Sequence, residues 1–373
     1  MKIITLQKNL KAAVHAVNHI AQKNTNLPIL NNILISAQEG NIKLISTNLE
    51  IGITSLLRGK IETEGSFTVD ARLLADYVGL LQNDKVCMEL KEGELEVECG
   101  ENKTKIKGQS AEEFPFIPVV ERVNPYTVKA DDLRRAISQV VFAAANDEAR
   151  AELSGVLLVL REKELVMAAT DSYRLAERIV GAQGSESDER RCIVPSRTLQ
   201  ELSRVLGADA GEDESPSEVL LFLSDNQCLF VAGNTEIVSR LIDGRYPDYQ
   251  QIIPQQFVSR CVVDRQELSR AVKSAAIFSK SGVNDVIFAF NASEKKLGIS
   301  AASGLAGEHH STLLVSIEGT DVESTLNSRY ILDALSVMNE ETVVIEVVDG
   351  DTPCILRDGD KKDYFYIIMP IRK

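Results

Sequence analysis

The chain carries one pattern three times over, and a repeat of domain length restricts the fold more than any local motif does. Each copy opens on an amphipathic segment: Leu10 to Val17, Leu133 to Val140 and Leu268 to Ala275. In all three, a leucine, an alanine, a β-branched residue and a small or β-branched residue recur at helical spacing, which gives a helix with one buried face. Paired strand-like runs follow: Ile33 to Ser36 with Ile42 to Ser46, Gly155 to Leu160 with Leu165 to Ala169, and Val286 to Phe290 with Leu297 to Ala301. The polar turns between them are of hairpin type. A second helix shares a signature across Val69 to Leu74, Val194 to Leu199 and Leu326 to Ile331. Asp70 and Asn327 are suited to accept an N-cap hydrogen bond, and Pro195 suits a first turn. Each copy closes on further strands and an apolar-proline step, at Phe116-Ile117-Pro118, Ile252-Ile253-Pro254 and Ile368-Met369-Pro370.

The arginines shared by the second helices, Arg72, Arg197 and Arg329, lie 125 and then 132 residues apart, which is a domain-sized interval rather than a solenoid period. The fold class is therefore α+β, with three similar domains, each of two helices packed on antiparallel sheet. The expected limits are 1–124, 125–256 and 257–373, with joints at Val123-Asn124-Pro125-Tyr126 and Gln255-Gln256-Phe257-Val258. Two acidic stretches in the second copy, 181–189 and 207–218, read as exposed loops.

Hydrophobic residues make up 44% and charged residues 26% of the chain, the balance of a globular protein. The N-terminus passes directly into strand-like alternation, so neither export nor membrane insertion is indicated. Six cysteines are scattered without a C-x-x-C pair and read as reduced core residues of a cytoplasmic protein. The net charge of −14 argues against a partner such as DNA, because affinity for phosphates normally comes from basic surfaces.

Four local elements sit on this repeat: Leu27-Pro28-Ile29-Leu30, Ala169-Thr170-Asp171-Ser172-Tyr173-Arg174-Leu175-Ala176, Tyr246-Pro247-Asp248-Tyr249 and Met369-Pro370-Ile371-Arg372. With them the whole chain resembles the bacterial sliding clamps, the DNA polymerase III beta subunits. That resemblance implies the DNA clamp fold, with two three-domain chains joined head to tail as a closed ring. A homodimeric ring of this kind encircles double-stranded DNA without reading its sequence, as a non-enzymatic processivity factor. Because encirclement replaces affinity, the acidity becomes permissible.

The resemblance also implies a partner pocket between the second and third domains. It takes a short Gln- and Leu/Phe-containing segment of the polymerase III alpha subunit, the clamp loader, other polymerases or repair proteins. By position it comprises Leu153, Thr170, Ser172, Tyr173, Arg174 and Leu175, then Pro247, Ile252 and Pro353, and finally Ile368, Met369, Pro370, Ile371 and Arg372. Leu, Ile and Pro with an adaptable Met suit a groove for varied side chains. Plain core is the competing account of Leu175, Ile252 and Ile368.

DNA-facing positions implied in the same way are Lys8, Lys11, Arg134, Arg197, Arg270 and Lys273. Residues 8–23 and 268–281 are basic without a carboxylate, although cations on a helix also mark an ordinary solvated face. Asn24, Asp147, Ala151 and Glu152 depart from the family's DNA contacts. Ring closure is implied to bring Tyr77 and Leu81 toward Ile277 and Phe278, with Lys103 and Lys105 adding charge pairing, for example to Glu308. His309 and His310 stand where better-known members are acidic.

An enzyme would need a constellation that is missing. The chain has no P-loop, no G-x-G-x-x-G after a strand, no H-E-x-x-H and no G-x-S-x-G. His15 and His19 lie four apart on a helix but lack acidic or Cys neighbours for a metal. Asp171 fits a turn better than a general base. No cofactor, metal or catalytic residue is expected; a protein-binding scaffold that never meets DNA is the remaining alternative class.

Overall fold

The computed structural model describes residues 1–21, 26–184, 188–207 and 216–372. Lys23, Asn24 and the middle parts of both acidic stretches lie outside them. Among the described residues the three copies share one element order. The opening strands Lys2–Leu6, Tyr126–Lys129 and Ser259–Asp264 lead into α1 (Gln7–Asn18), α3 (Ala130–Val140) and α5 (Arg265–Ala276). After intervening strands come α2 (Ala71–Leu80), α4 (Ser196–Leu206) and α6 (Ser328–Val337), each followed by three more strands.

The periodicity of the opening helices translates directly into burial. Leu10, Ala13, Val14 and Val17 are buried on α1, Leu133, Ala136, Ile137 and Val140 on α3, and Leu268, Ala271, Val272 and Ala275 on α5. These are the i, i+3, i+4 and i+7 places of one helical face, and each large side chain among them contributes about 1.5–3 kcal/mol on burial. Asp70 caps α2 by accepting from the Leu73 N–H at 2.8 Å, and Asn327 caps α6 by accepting from Arg329 and Tyr330. Pro195 differs from its expected place. It is the last residue of the strand Arg190–Pro195, opposite Gly155, and α4 begins one residue later. The apolar-proline steps of the first two copies also fall beyond the strands, which end at Gln109 and Arg240.

Among the described residues all the pairings are antiparallel; 22 strands form one connected network that runs through all three copies, and Asp285–Asn291, Lys296–Ser303, Gly307–Leu314 and Val322–Asn327 of the third copy form a separate four-stranded sheet. Two pairings carry the sheet from copy to copy. Thr235–Arg240 lies against Ile51–Leu57 with Ser239 opposite Ile51, and Tyr364–Ile368 lies against Arg174–Gly184 with Ile368 opposite Arg174. Both junctions join the third strand after a copy's first helix to the third strand after a copy's second helix.

The helices form a matching chain. Within each copy α1 packs on α2, α3 on α4 and α5 on α6, while α3 also meets α6. Arg204 at the end of α4 donates to the carbonyls of His15 and Ala16 at the end of α1, both at 2.7 Å. Its Nε meets Glu201, whose other oxygen holds His19. A guanidinium on the last carbonyls of a helix also complements the helix dipole. The belt thus runs α2, α1, α4, α3, α6, α5, with α2 and α5 at its ends.

One large core fills the space between belt and sheet through all three copies. A second core lies on the other face of the sheet, where Leu157, Val166, Leu175, Ile193, Ile355, Phe365 and Ile367 pack beneath Tyr249, Ile242, Tyr246, Ile253 and Phe257. The segment joining the second and third copies is therefore pinned over their shared sheet.

Candidate functional site

The site between the second and third copies grows from one turn. Asp171 Oδ1 accepts from the N–H groups of Tyr173 (2.9 Å) and Arg174 (3.0 Å), and Thr170 Oγ1 accepts from Ser172 at 3.1 Å and donates to the Arg174 carbonyl at 2.6 Å. These bonds hold Ser172 at φ 79°, a left-handed conformation that a side chain adopts only when its surroundings impose it. Asp171 is thus a turn former, and both its oxygens are engaged. The same construction stands in the first copy. Thr47 accepts from Leu49 (φ 78°), and Asn48 accepts from Glu50 and Ile51.

Arg174 leaves this turn to reach the third copy. Its Nε donates to Asp171 Oδ2 at 2.9 Å, its Nη1 donates to Asp333 Oδ2 of α6 at 2.5 Å, and its guanidinium lies 4.5 Å from the Tyr330 ring centre. Phe142 covers the group at 5.5 Å. The side chain is only 11% exposed, and its Nε and Nη1 are bonded inside the chain, so it ties the turn to α6.

The C-terminal tail continues the junction. Met369 N–H donates to the Tyr173 carbonyl at 2.9 Å and Ile371 N–H to the Thr325 carbonyl at 2.8 Å, which leaves Met369, Pro370 and Ile371 half-buried instead of loose. Pro353 precedes Cys354, which stands opposite Ile368. On the far side the Thr170 N–H donates to the hydroxyl oxygen of Tyr246, whose pKa burial pushes up, and Gly244 abuts Glu152. The residues inferred for the pocket lie on five segments. They divide sharply by depth. Leu153, Thr170, Leu175 and Ile368 are buried, with Leu175 and Ile368 at 0%. Pro247, Pro353, Met369, Pro370 and Ile371 are half-buried; Ser172, Tyr173, Ile252 and Arg372 are exposed.

Beside this surface a cavity of about 890 Å³ opens beneath the 241–250 segment and shares Pro247 with it. Its floor is apolar, and Glu177, its carboxyl pushed up by burial, accepts from the Tyr249 hydroxyl at 2.5 Å there. Burial also pushes the thiols of Cys192 and Cys261 up to about 12, so neither is a thiolate at neutral pH.

On the belt, Lys8, Lys11, Arg134, Arg270 and Lys273 are exposed and Arg197 is half-buried. Arg134 also lies against Gly207 at the end of α4. At the belt's ends Ile277 is 73% exposed, and Phe278 is half-buried with its ring stacked on His309 at 5.6 Å. Tyr77 is half-buried, whereas Leu81 belongs to its own core at 8% exposure. Lys103 is held by Glu98 at 2.5 Å and by Glu96 at 3.3 Å, and Lys105 by Glu96 at 3.5 Å.

Family profiles match three successive stretches of the chain. Those for the N-terminal, central and C-terminal domains of the DNA polymerase III beta subunit match residues 1–118, 127–248 and 250–372. The chain belongs to the DNA polymerase III beta subunit family. Among its relatives, the beta sliding clamp of Synechococcus elongatus is 29% identical over 376 residues, covering 100% of this chain and 99% of the relative. That of Bacillus subtilis is 28% identical over 379 residues, covering 99% of each. The DNA polymerase III beta subunit structure from Pseudomonas aeruginosa superposes with a TM-score of 0.92 at 27% identity, covering 100% of both chains. The one from Thermotoga maritima gives 0.92 at 26% identity, covering 100% of this chain and 99% of that one.

Sequence reasoning missed several residues at this junction. Asp333, Tyr330 and Phe142 hold Arg174, yet only the fold brings them to it, and Tyr246, which lies in one of the four local elements, reaches Thr170 without having been placed in the site. Leu73 and Leu80 were legible, since α2 buries Ala71, Leu74 and Val78 and leaves these two leucines off that face at 52% and 86% exposure.

Proposed function

We propose that this chain is a DNA sliding clamp: two copies close head to tail into a ring around duplex DNA and tether polymerases and other proteins to it. One observation carries the closure. Each junction within the chain pairs the third strand after a first helix with the third strand after a second helix. Among the described residues two such strands lack that partner, Asn102–Gln109 in the first copy and Gly307–Leu314 in the third. Asn102–Gln109 belongs to the 22-strand network and Gly307–Leu314 is an end strand of the separate four-stranded sheet, while α2 and α5 sit at opposite ends of the belt. An exposed strand edge of this kind is a template for pairing with another chain.

The register follows from the ladders. Ile51, Arg174 and Gly307 hold equivalent places, as do Ser239, Ile368 and Ile106. Carried to the ring, Gly307 faces Ile106 of the partner subunit, Glu308 faces the partner's Lys105, His309 faces the partner's Thr104 and His310 faces the partner's Lys103. Tyr77, Ile277 and Phe278 join α2 to α5 in the same contact, while Leu81 supports α2 from within.

The domains of this reading are 1–124, 125–256 and 257–373. The belt lines the hole, and Lys8, Lys11, Arg134, Arg197, Arg270 and Lys273 are its DNA-facing cations. A ring holds DNA by topology, so a charge of −14 per chain opposes tight gripping without preventing retention. The pocket around Tyr173, Ile252 and Met369 takes the linear segments of the alpha subunit, the clamp loader and repair proteins. The protein works in the cytoplasm and without catalysis.

A charge swap tests the closure. Lys105→Glu sets like charges directly opposite in both junctions of the ring, at about 0.2–1 kcal/mol each, so the dimer should weaken roughly 2–30-fold. Adding Glu308→Lys should recover much of that loss. Sedimentation equilibrium measures both, and a swapped chain no tighter than the single variant would remove the register.

A further inference from the structure

We propose that ring closure in this chain is a proton-sensitive step, governed chiefly by His309. The inference rests on the head-to-tail reading above and deepens it. At the two junctions visible within the chain, the residues equivalent to His309 are Ile53 and Ala176, both fully buried at 0%. Where the ring must close, the same inward place is taken by an imidazole. In the single chain His309 is half-buried, its ring stacked on Phe278 with the planes 12° apart, and its Nε2 is buried without a hydrogen-bond partner. The partner's Thr104, directly opposite, brings no charge.

The groups around the junction offer a proton no compensation. The face of α5 toward this strand is Leu268, Ala271, Val272 and Ala275, and the neighbouring strand places Ala301 opposite His309. The charged residues of α5 and the loop after it are Arg265, Glu267, Arg270, Lys273 and Lys280. On the strand itself Glu308 and His310 point to the other face. From the partner come Lys103 and Lys105, already bonded to Glu96 and Glu98, and Asp76, paired with Arg72 at 3.9 Å. His310 faces the partner's Lys103, so its protonation adds a smaller repulsion that Glu98 beside that lysine partly offsets.

The sign is fixed by burial. An imidazolium removed from water without a counter-charge is disfavoured, so closure expels the proton and lowers the affinity of His309 for it. Closure is then favoured above the ordinary imidazole range and weakened as pH falls through it. A symmetric dimer has two such junctions. Across the ordinary imidazole range each junction should lose roughly tenfold between pH 7.5 and pH 5.5, or about 100-fold in the dimer dissociation constant.

Sedimentation equilibrium of the full chain across this range is the test, with His309→Gln and His309→Leu alongside and circular dichroism to verify that the chain stays folded. The wild type should weaken about 100-fold, and both variants should lose most of that dependence while dimerising at pH 7.5. A wild-type dimer with a constant that does not move with pH overturns the proposal, as does an unchanged pH dependence in both variants. A folded chain monomeric at every pH overturns the head-to-tail reading itself.

Discussion

Replacing Arg174 with alanine should lower the unfolding free energy by about 3 kcal/mol, the lower end of what removing one partner of a buried ion pair costs. The guanidinium is 11% exposed and Asp171 is 17% exposed, so the variant strands a carboxylate whose other oxygen already caps the turn. It also removes the stack on Tyr330 and the only side chain that ties this turn to Asp333 of α6 among the bonds described. Asp333 is 47% exposed, so Asp333→Asn should cost under about 1 kcal/mol. Urea denaturation separates the two. Equal losses would mean that the bridge to α6, rather than the turn, carries the effect. A loss below about 1 kcal/mol for Arg174→Ala would mean that the junction does not depend on this residue.

Leu175 and Met369 should part company in the same way. Leu175 is at 0% exposure within the outer core, so Leu175→Ala should destabilise the chain by about 2–5 kcal/mol through lost burial and a cavity. Any loss of partner binding by that variant follows from the damaged sheet. Met369 is half-buried at the surface and held through its backbone, which the substitution keeps. Met369→Ala should therefore leave stability within about 1 kcal/mol while weakening a Gln- and Leu-containing partner peptide by about 2 kcal/mol, or ~30-fold. Calorimetric titration of such a peptide decides the matter, and unchanged affinity would take Met369 out of the pocket.

These cases mark what was legible in the sequence. The three copies, their helices and the cap residues Asp70 and Asn327 could be read because each depends on spacing within a few residues, and the structure keeps that spacing. The Thr-Asp-Ser-Tyr-Arg turn was legible for the same reason. The depth of a side chain was not. Leu175 and Ile252 look alike in sequence, yet Leu175 lies in a strand covered on both faces, while Ile252 rides on the covering segment at 45% exposure. Partners of long sequence separation were hidden too. Arg174 with Asp333, and Arg204 with the end of α1, meet only because the belt brings successive copies together. The strand ends differed in a smaller way. The apolar-proline steps look like strand ends, but after Gln109 and Arg240 they run as linkers over the outer face, where Val120 packs on Phe222 and Leu229.

A clamp holds DNA by surrounding it. The most direct measurement loads the labelled dimer onto nicked circular DNA with a clamp loader, isolates the complex and then cuts the circle once. The ring should remain on the circle through a salt wash that disrupts surface binding to phosphates, and should run off once an end is made. Release at the same rate from circular and linear DNA, or loss from the circle in the salt wash, would contradict encirclement.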